Sequence, residues 1–415
     1  MQQSKVIIIG GGLGGLTFAH GLKKAGIPFH VFERDPTSDF RAQGYRIRIS
    51  PEGGEALKNN LPAELFDLFE KTCGGMFQGI ARINALDGKP VTEAGPGGPG
   101  GPGGPGGFKS NSGEKTLGPY TVDRTTFRSL LLLGLEENVT FGKKFERYEE
   151  SESGVTVYFK DGNKEEGGLL VGADGVRSKV RKQYLPENVV VDTDGRVIYG
   201  KTIITEEFKE RFPSHAMKGI NIIVDKRHQT PLSLFYEPIY FEKDIAVVSN
   251  GKLPSVKDYV YWVLFSRKAI IGIEDDQLWR MSNEEIVKHS LKLTEDWDPA
   301  FRSILDLQDM SQTSVLRVSS ALPDLPFWTP SARVTLLGDA IHVMSPTGGV
   351  GANTALRDGY HLCQALIEGG ISAESVGKYE EKMRIYAKEA IEGSYNGGKR
   401  LYNQPPFEEC KRLDL

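Results

Sequence analysis

The opening of the chain leaves few folds available to it. A four-residue β-branched run, Val6–Ile9, passes into a cluster of glycines, then into a segment with helical spacing, Leu13–Ala25, and then into a second apolar run, Phe29–Phe32. Leu16, Ala19 and Leu22 recur at the interval of one helix face, and Gly26-Ile27-Pro28 ends the segment. Two short apolar strands joined through a helix predict a βαβ unit, hence a parallel sheet.

Gly10-Gly11-Gly12-Leu13-Gly14-Gly15 fits the GxGxxG pattern in the strand-to-helix context that gives it meaning. Gly10 allows a tight turn, Gly12 lets the backbone approach a pyrophosphate, and Gly15 lets the helix press on the strand. The helix start then offers unpaired N–H groups and a partial positive charge to phosphate. Glu33, 18 residues beyond Gly15, stands where a carboxylate holds an adenosine ribose, with Arg34 beside it. The bare alternative is a glycine-rich turn with Glu33 solvated.

Glycine is in excess, 49 of 415 residues, about 12% against an ordinary 7% or so. Part of the excess is a repeat, Gly95 to Gly107, four Pro-Gly-Gly units in register. Four triplets are too few for a collagen-like triple helix, and a surface linker is expected. The 51 Lys+Arg against 55 Asp+Glu give a net charge of −4, which argues against a basic face for nucleic acid. No apolar run approaches the roughly 18–20 residues of a membrane span. The run from Lys5 to Gly10 lacks the apolar core and cleavage site of a signal peptide. Cys73, Cys363 and Cys410 are too widely spaced for a disulfide framework or a cysteine zinc site, so a cytoplasmic protein is expected.

Further on, Asp123–Glu137 reads as a helix, and Val155–Lys160 alternates like a sheet strand before Asp161-Gly162. Leu169–Ala173 and Arg333–Leu337 read as buried strands. Between about 195 and 310 the pattern becomes long, alternating and aromatic-rich: Arg196–Ile204, Gly219–Val224, Leu232–Tyr236, Tyr259–Ser266. Ala352–Ile367 and Ser375–Ser394 read as late helices. The expectation is an α/β chain in which 1–75, 118–194 and 311–370 form a dinucleotide-binding domain. Into it 76–117 and 195–310 insert a mixed or antiparallel substrate-binding sheet, and 371–415 is a C-terminal helix and tail.

Two later clusters sharpen the reading. Gly172-Ala-Asp-Gly-Val-Arg-Ser-Lys-Val-Arg181 follows one buried strand, and Gly338-Asp-Ala-Ile-His-Val-Met-Ser-Pro-Thr-Gly-Gly-Val-Gly-Ala-Asn353 follows another. With the N-terminal glycines, these resemble the three motifs of the FAD-dependent aromatic hydroxylase family (group A flavoprotein monooxygenases), in its order and approximate spacing from Val6 to Asp358. The resemblance implies a Rossmann-like FAD-binding domain of the glutathione-reductase type with an inserted sheet. It implies FAD as cofactor, NAD(P)H as transient co-substrate, and transfer of one oxygen atom from a C4a-hydroperoxyflavin to an aromatic, polycyclic or alkene substrate. Hydroxylation or epoxidation by a monomer or homodimer, in secondary metabolism or aromatic degradation, is the corresponding expectation.

The cofactor-binding residues expected are Gly10, Gly12, Leu13, Gly14, Gly15, Glu33, Arg34, Arg124, Asp174, Asp339, Pro346, Gly349, Gly351, Ala352 and Asn353. Asp339, at a strand end, suits ribityl hydroxyls. The helix beginning near Ala352 points its N-terminal N–H groups outward, suited to an anionic reduced flavin ring. Arg124 matches the family's flavin-contacting arginine, with Arg128 the competing choice. Arg46 and Arg48 share a strand face and are flavin or phosphate candidates, or plain sheet-face charges. His342 lacks an orienting or metal-spaced partner in sequence and is structural in the family.

Two departures limit the transfer. Val350 stands where many members have glutamine, and Ile198-Tyr-Gly-Lys201 stands where many have an aromatic-Arg-Gly, leaving Lys201 and Tyr236 as weak catalytic candidates. Phe235, Tyr236, Tyr240, Tyr259, Tyr261 and Trp262 supply the expected pocket lining, of which strand alternation turns about half away. No metal constellation is present. A halogenase normally carries WxWxIP, absent here; a prenyl reductase and a non-enzymatic prenyl-binding escort of the same fold remain as alternatives.

Overall fold

A computed structural model describes residues 5–40, 45–75, 79–91, 117–278 and 280–415; the Pro-Gly-Gly repeat lies outside the described residues. β1 (Val6–Ile9) is buried on both faces, as a β-branched central parallel strand must be. α1 (Leu13–Ala25) follows, and β2 (Phe29–Phe32) returns beside β1 with Val6 opposite Phe29. β3 (Arg46–Ile49) leads through Ser50, whose hydroxyl caps Gly53 N–H, into α2 (Pro51–Asn60). β4 (Ile80–Asn84) comes before the repeat, and β5 (Tyr120–Asp123) after it runs antiparallel to β3. α3 (Arg124–Leu132), β6 (Val139–Thr140), the meander β7 (Phe145–Glu150), β8 (Val155–Phe159) and β9 (Lys164–Gly167), then β10 (Leu169–Gly172) and α4 (Lys179–Tyr184) complete this stretch.

The long strands are β11 (Val190–Ile203), β12 (Ile220–Asp225), β13 (Leu232–Ile239), β14 (Tyr259–Arg267) and β15 (Ser314–Ala321). β16 (Val334–Leu336), α5 (Gly351–Gly369), α6 (Ala373–Tyr402) and β17 (Lys411–Leu413) close the chain. Two main sheets result. One has five strands, all parallel, in the order β16-β10-β1-β2-β6. The other has seven, β15-β11-β14-β13-β12-β4 with β17 on β11, antiparallel except where β4 joins β12. This is the α/β architecture with a mixed sheet that the sequence predicts.

The large sheet divides its side chains by alternation. Ile198, Tyr236, Trp262 and Leu264 pack on one face with Phe208, Phe301 and Ile304. Tyr199, Phe235, Tyr261 and Val263 point to the other face and line a cavity shared with the parallel-sheet body.

Three elements differ from their sequence pattern. The helix expected over Asp123–Glu137 starts one residue later and stops at Leu132, because Asp123 ends β5 and caps Thr126 N–H at 3.0 Å. β11 begins six residues early, at Val190, by passing through a bulge: Asp194 takes φ +63, and the register shifts between Asp192 and Arg196. α6 runs past the expected end at Ser394 to Tyr402 and stops at left-handed Asn403.

Candidate active site

Register places the three motifs side by side. Ile9 pairs with Gly172, and Gly172 with Leu336, so the turns after β1, β10 and β16 converge at the carboxyl edge of the parallel sheet, where ligands of such sheets bind. A cavity of about 1160 Å³ starts there and reaches the large sheet. It exceeds the roughly 300–1,000 Å³ typical of small-molecule pockets. The volume suits a dinucleotide together with a second molecule.

The glycine turn is shaped for close approach. Gly10 has φ +115, and a Cβ on it would stand 2.2 Å from the Ala173 carbonyl oxygen. A Cβ on Gly12 would meet nothing within 4 Å and would instead project into the cavity, where the N-terminus of α1 also faces. Leu13, Gly14, Gly15 and Arg34 line the same end. Glu33 is not merely solvated. Only 7% exposed, it accepts the N–H of Gly11 at 2.8 Å and of Asp35 at 3.0 Å, and still borders the cavity. The two candidate arginines separate. Arg128 donates to the Gly11 carbonyl at 3.0 Å and stands 3.8 Å from Glu33, bracing the turn from behind. Arg124 lines the cavity, its guanidinium 5.1 Å from the Tyr45 ring.

Asp339 is enclosed by protein, although the cavity keeps its side chain accessible. Burial pushes its carboxyl up, against the opposing pull of His342 and Arg124. Among the described residues no group hydrogen-bonds that carboxylate, so it remains available to a ligand hydroxyl. Pro346, Gly349, Gly351 and Ala352 line the cavity at the start of α5, where the N–H groups of Gly351 and Ala352 donate to no described residue. Asn353 is placed differently. Its amide oxygen accepts Ser50 N–H at 2.8 Å and its nitrogen donates to Arg48 C=O at 2.9 Å, tying α5 to β3. Asp174 lines the cavity but spends its carboxylate on Ser178 Oγ and Lys179 N–H at the head of α4.

His342 does have a partner. Asp358 of α5 accepts His342 Nε2 at 2.7 Å, Gly338 N–H at 2.7 Å and Tyr386 O–H at 2.6 Å. Burial alone would lower the His342 pKa, but the charge and hydrogen bond of Asp358 raise it. The histidine holds the Gly338–Asp339 turn from below.

Arg46 and Arg48 both line the cavity and both pair with Glu237 of β13, Arg48 at 2.8 Å. They are therefore neither simple phosphate clamps nor free surface charges. The two weak catalytic candidates do not reach the cavity. Lys201 is buried against Asp123 and over the Tyr259 ring at 4.3 Å, and Tyr259 O–H also donates to Asp123, at 3.1 Å. Tyr236 is fully buried and donates to the Ala216 carbonyl at 3.1 Å on the far face. Of the six aromatic lining candidates Phe235 and Tyr261 face the cavity, and Tyr236, Tyr240, Tyr259 and Trp262 do not. Sequence reasoning missed Tyr45, Tyr199 and the ion-pairing Glu237. Its signal was present: a lone carboxylate in the apolar strand Leu232–Ile239 demands a cationic partner.

The turn at Gly12, the unpaired N–H groups of α5 and the unpartnered Asp339 carboxylate together fit an extended flavin dinucleotide. Comparison with known proteins agrees. Residues 290–394 match a family described as an FAD binding domain, and residues 8–71 one described as an NAD(P)-binding Rossmann-like domain. The chain is 37% identical, over 99% of its own length and 47% of the relative's, to the dual O-methyltransferase/FAD-dependent monooxygenase elcB of Phaeosphaeria nodorum. It is 29% identical to the FAD-dependent monooxygenase thnD of Trichoderma harzianum, over 87% of this chain and 82% of that one. It thus spans about half the length of the dual-function relatives it matches. An FAD-containing monooxygenase of Photorhabdus luminescens superimposes with a TM-score of 0.76 at 29% identity, covering 96% of this chain and 99% of that one. Klebsiella pneumoniae HpxO complexed with FAD and uric acid shares the fold, with a TM-score of 0.70 at 20% identity over 96% and 89% of the two chains. Over nearly its whole length the chain is thus similar to FAD-dependent monooxygenases, and it carries segments that match an FAD binding domain and an NAD(P)-binding Rossmann-like domain.

Proposed function

We propose that the chain is an FAD-dependent monooxygenase that uses NAD(P)H and O₂ to hydroxylate or epoxidise an electron-rich aromatic or polycyclic substrate. The observation that carries this is one cavity joining the strand-end groove to an aromatic sheet wall. When bound, the flavin supplies the redox chemistry, accepting hydride from NAD(P)H and delivering one atom of O₂. The chain's own residues do the rest. Gly12 and the α1 start seat the pyrophosphate, Glu33 takes ribose hydroxyls, Asp339 takes ribityl hydroxyls, and the α5 start places positive partial charge at the ring. Tyr199, Phe235 and Tyr261 orient a planar substrate, and the large sheet excludes water.

In this reading 1–75, 118–194 and 311–370 carry the cofactor, 76–117 and 195–310 the substrate wall, and 371–415 the closing helix and tail, with α6 contributing Gly393 and Leu401 to the cavity. Among the described residues no helix is long and apolar enough to cross a membrane, and Cys73, Cys363 and Cys410 are free thiols; the reading takes the protein as cytoplasmic, a monomer or homodimer. The test is a screen of aromatic and prenylated compounds for ligand-stimulated NADPH oxidation with O₂ uptake, and mass spectrometry for a product heavier by one oxygen. Reduction of an alkene without oxygen gain would refute the assignment.

A further inference from the structure

Two carboxylates meet at one enclosed turn, and a histidine is coupled to both. Asp358, on α5, accepts Gly338 N–H at 2.7 Å and His342 Nε2 at 2.7 Å, so it fixes the backbone just before Asp339 and the ring three residues after it. His342 and Asp358 are both fully buried. Asp339 is different: it borders the cavity, and no described residue hydrogen-bonds its carboxylate. The charges of this array do not balance without a protonated ring. Asp339 and Asp358 bring two negative charges, and Arg124 at the cavity edge brings one positive charge near Asp339. A neutral His342 could still donate Nε2–H to Asp358, but it would leave one buried anion uncompensated, which is costly. An imidazolium removes the deficit, and the pull of both carboxylates on the ring outweighs the burial that opposes its charge. The same imidazolium helps hold Asp339 ionised against burial.

We propose that His342 is a positioning residue for the cofactor: as an imidazolium held by Asp358 it keeps the Asp339 carboxylate charged, and FAD binding draws the proton onto it. This rests on the reading of the cavity as an FAD site. One proton passes from bulk water to His342 Nδ1, Nε2–H stays on Asp358, and no other bond changes. The direction follows from what a ligand does to the turn. It displaces water from Asp339, which strengthens the attraction between imidazolium and carboxylate, and its pyrophosphate adds negative charge to the same groove. The loaded protein therefore holds the proton to a higher pH than the empty one. Affinity is full below the histidine value of the empty protein and falls as pH rises from there to the value of the loaded protein. Other titratable groups around the array are Arg124 of α3, Arg181 of α4, which donates to the Ala340 carbonyl at 3.1 Å, Arg357 and His361 of α5, and Tyr379 and Tyr386 of α6. Burial keeps the two tyrosines protonated and lowers His361. β15 meets the segment through Ala321 N–H, on the Val343 carbonyl at 2.7 Å, and Ala321 carries no charge.

The test titrates FAD into flavin-free protein from about pH 6 to about pH 9, followed by flavin fluorescence. Calorimetry in two buffers of different ionisation enthalpy counts the protons taken up at each pH. In the wild type the dissociation constant should rise by about 10-fold over the alkaline half of that range, the linkage that a shift of one pKa unit gives, with uptake of up to about one proton. His342→Gln still offers a donor to Asp358 but cannot be charged. It should bind FAD about 10-fold more weakly in mild acid, lose the alkaline dependence, and show its acid-side fall at higher pH, because Asp339 has lost a neighbouring cation. Asp339→Asn, whose side chain lies outside the buried hydrogen bonds, should lose most of the proton uptake. A flat wild-type profile without proton exchange overturns the proposal, as does an alkaline dependence that survives in His342→Gln. A loss of affinity in that variant of equal size at every pH does so too, since a purely structural role would give it. If His342→Gln does not fold, the proton counts of wild type and Asp339→Asn decide. Absence of FAD binding at any pH refutes the reading of the cavity and this inference with it, whereas binding without proton uptake refutes this inference alone.

Discussion

Replacing Asp358 by alanine tests whether the late motif is held from inside the fold. The carboxylate is fully buried on α5 and accepts from Gly338 N–H, His342 Nε2 and Tyr386 O–H, at 2.7, 2.7 and 2.6 Å. Alanine strands three donors, one of them an imidazole whose charged form Asp358 favours. Breaking a buried ion pair costs roughly 3–5 kcal/mol, and each orphaned neutral donor about 1–3, but the terms overlap because His342 relaxes by losing its proton. About 4 kcal/mol is the expected net loss. Asp358→Asn keeps an acceptor and the shape but gives up the charge, and about 2 kcal/mol is expected. Urea titration of FAD-free protein measures both, read from the transition of the parallel-sheet body, since a chain of this size need not unfold in one step. The pH dependence has a definite sign. The folded-state pKa of His342 is raised, so the stability this pair contributes is fully present below the ordinary histidine value and is lost as pH rises through the folded-state value. The gap between wild type and Asp358→Ala should therefore be widest in mild acid and narrow toward alkaline pH. A loss below about 1 kcal/mol, or a gap that widens with pH, would refute the argument.

Other perturbations separate cofactor contacts from structural ones. Asp339→Ala removes a carboxylate with no hydrogen bond to any described residue, so stability without FAD should hold within about 0.5 kcal/mol. FAD affinity, followed by flavin fluorescence, should fall by about 10- to 100-fold, the worth of a charged hydrogen bond or two. Lys201→Met should behave in the opposite way. Its buried pair with Asp123 is worth about 3 kcal/mol on breaking, seen in the melt, while FAD affinity stays unchanged because Lys201 does not line the cavity. Glu380, buried where it accepts Trp328 Nε1–H and Thr335 O–H, has its pKa raised to about 7 by burial. A raised carboxyl contributes its stability below the ordinary carboxylate range and loses it as pH rises through that value. Glu380→Gln should accordingly stabilise the protein at pH 8 by up to about 3 kcal/mol and much less at pH 5, in paired thermal melts.

What the sequence reveals here depends on how local the cause is. β1, α1 and β2 read correctly because glycine turns, β-branched runs and a helix stop act within a few residues. The convergence of the three motifs follows from parallel strand order, which the βαβ opening already implies. Charges in the interior read poorly. Arg46 and Glu237 are nearly two hundred positions apart, and no periodicity announces their pairing. Lys201 shares a strand face with the cavity-lining Tyr199 and stands opposite Tyr261, but it lies beyond the end of the cavity, where it pairs with Asp123, and no alternation pattern reveals how far along the strand the cavity extends. α6 outlasts its predicted end because the glycines at its close meet protein. A Cβ on Gly397 would lie 3.0 Å from the Thr347 carbonyl oxygen, so a residue that reads as a helix stop is instead required by packing.

The same long-range charges explain how the two sheets keep a cavity between them. Arg46 on β3 and Asp123 on β5 are opposite one another in register, and each is answered by a buried group of the large sheet, Glu237 on β13 and Lys201 on β11. One position of a two-stranded bracket thus supplies a cation and an anion to two different strands of the neighbouring sheet. Apolar packing alone rewards closing the gap, since it is non-directional and grows with the area removed from water. Ion pairs of fixed reach and opposite polarity reward one separation and one register, at a desolvation cost that a hydrophobic contact would avoid. On this argument the bracket sets the distance at which a planar ligand fits between cofactor and sheet. Its sensitivity to a single removed partner is the cost of holding an open site inside an otherwise close-packed protein.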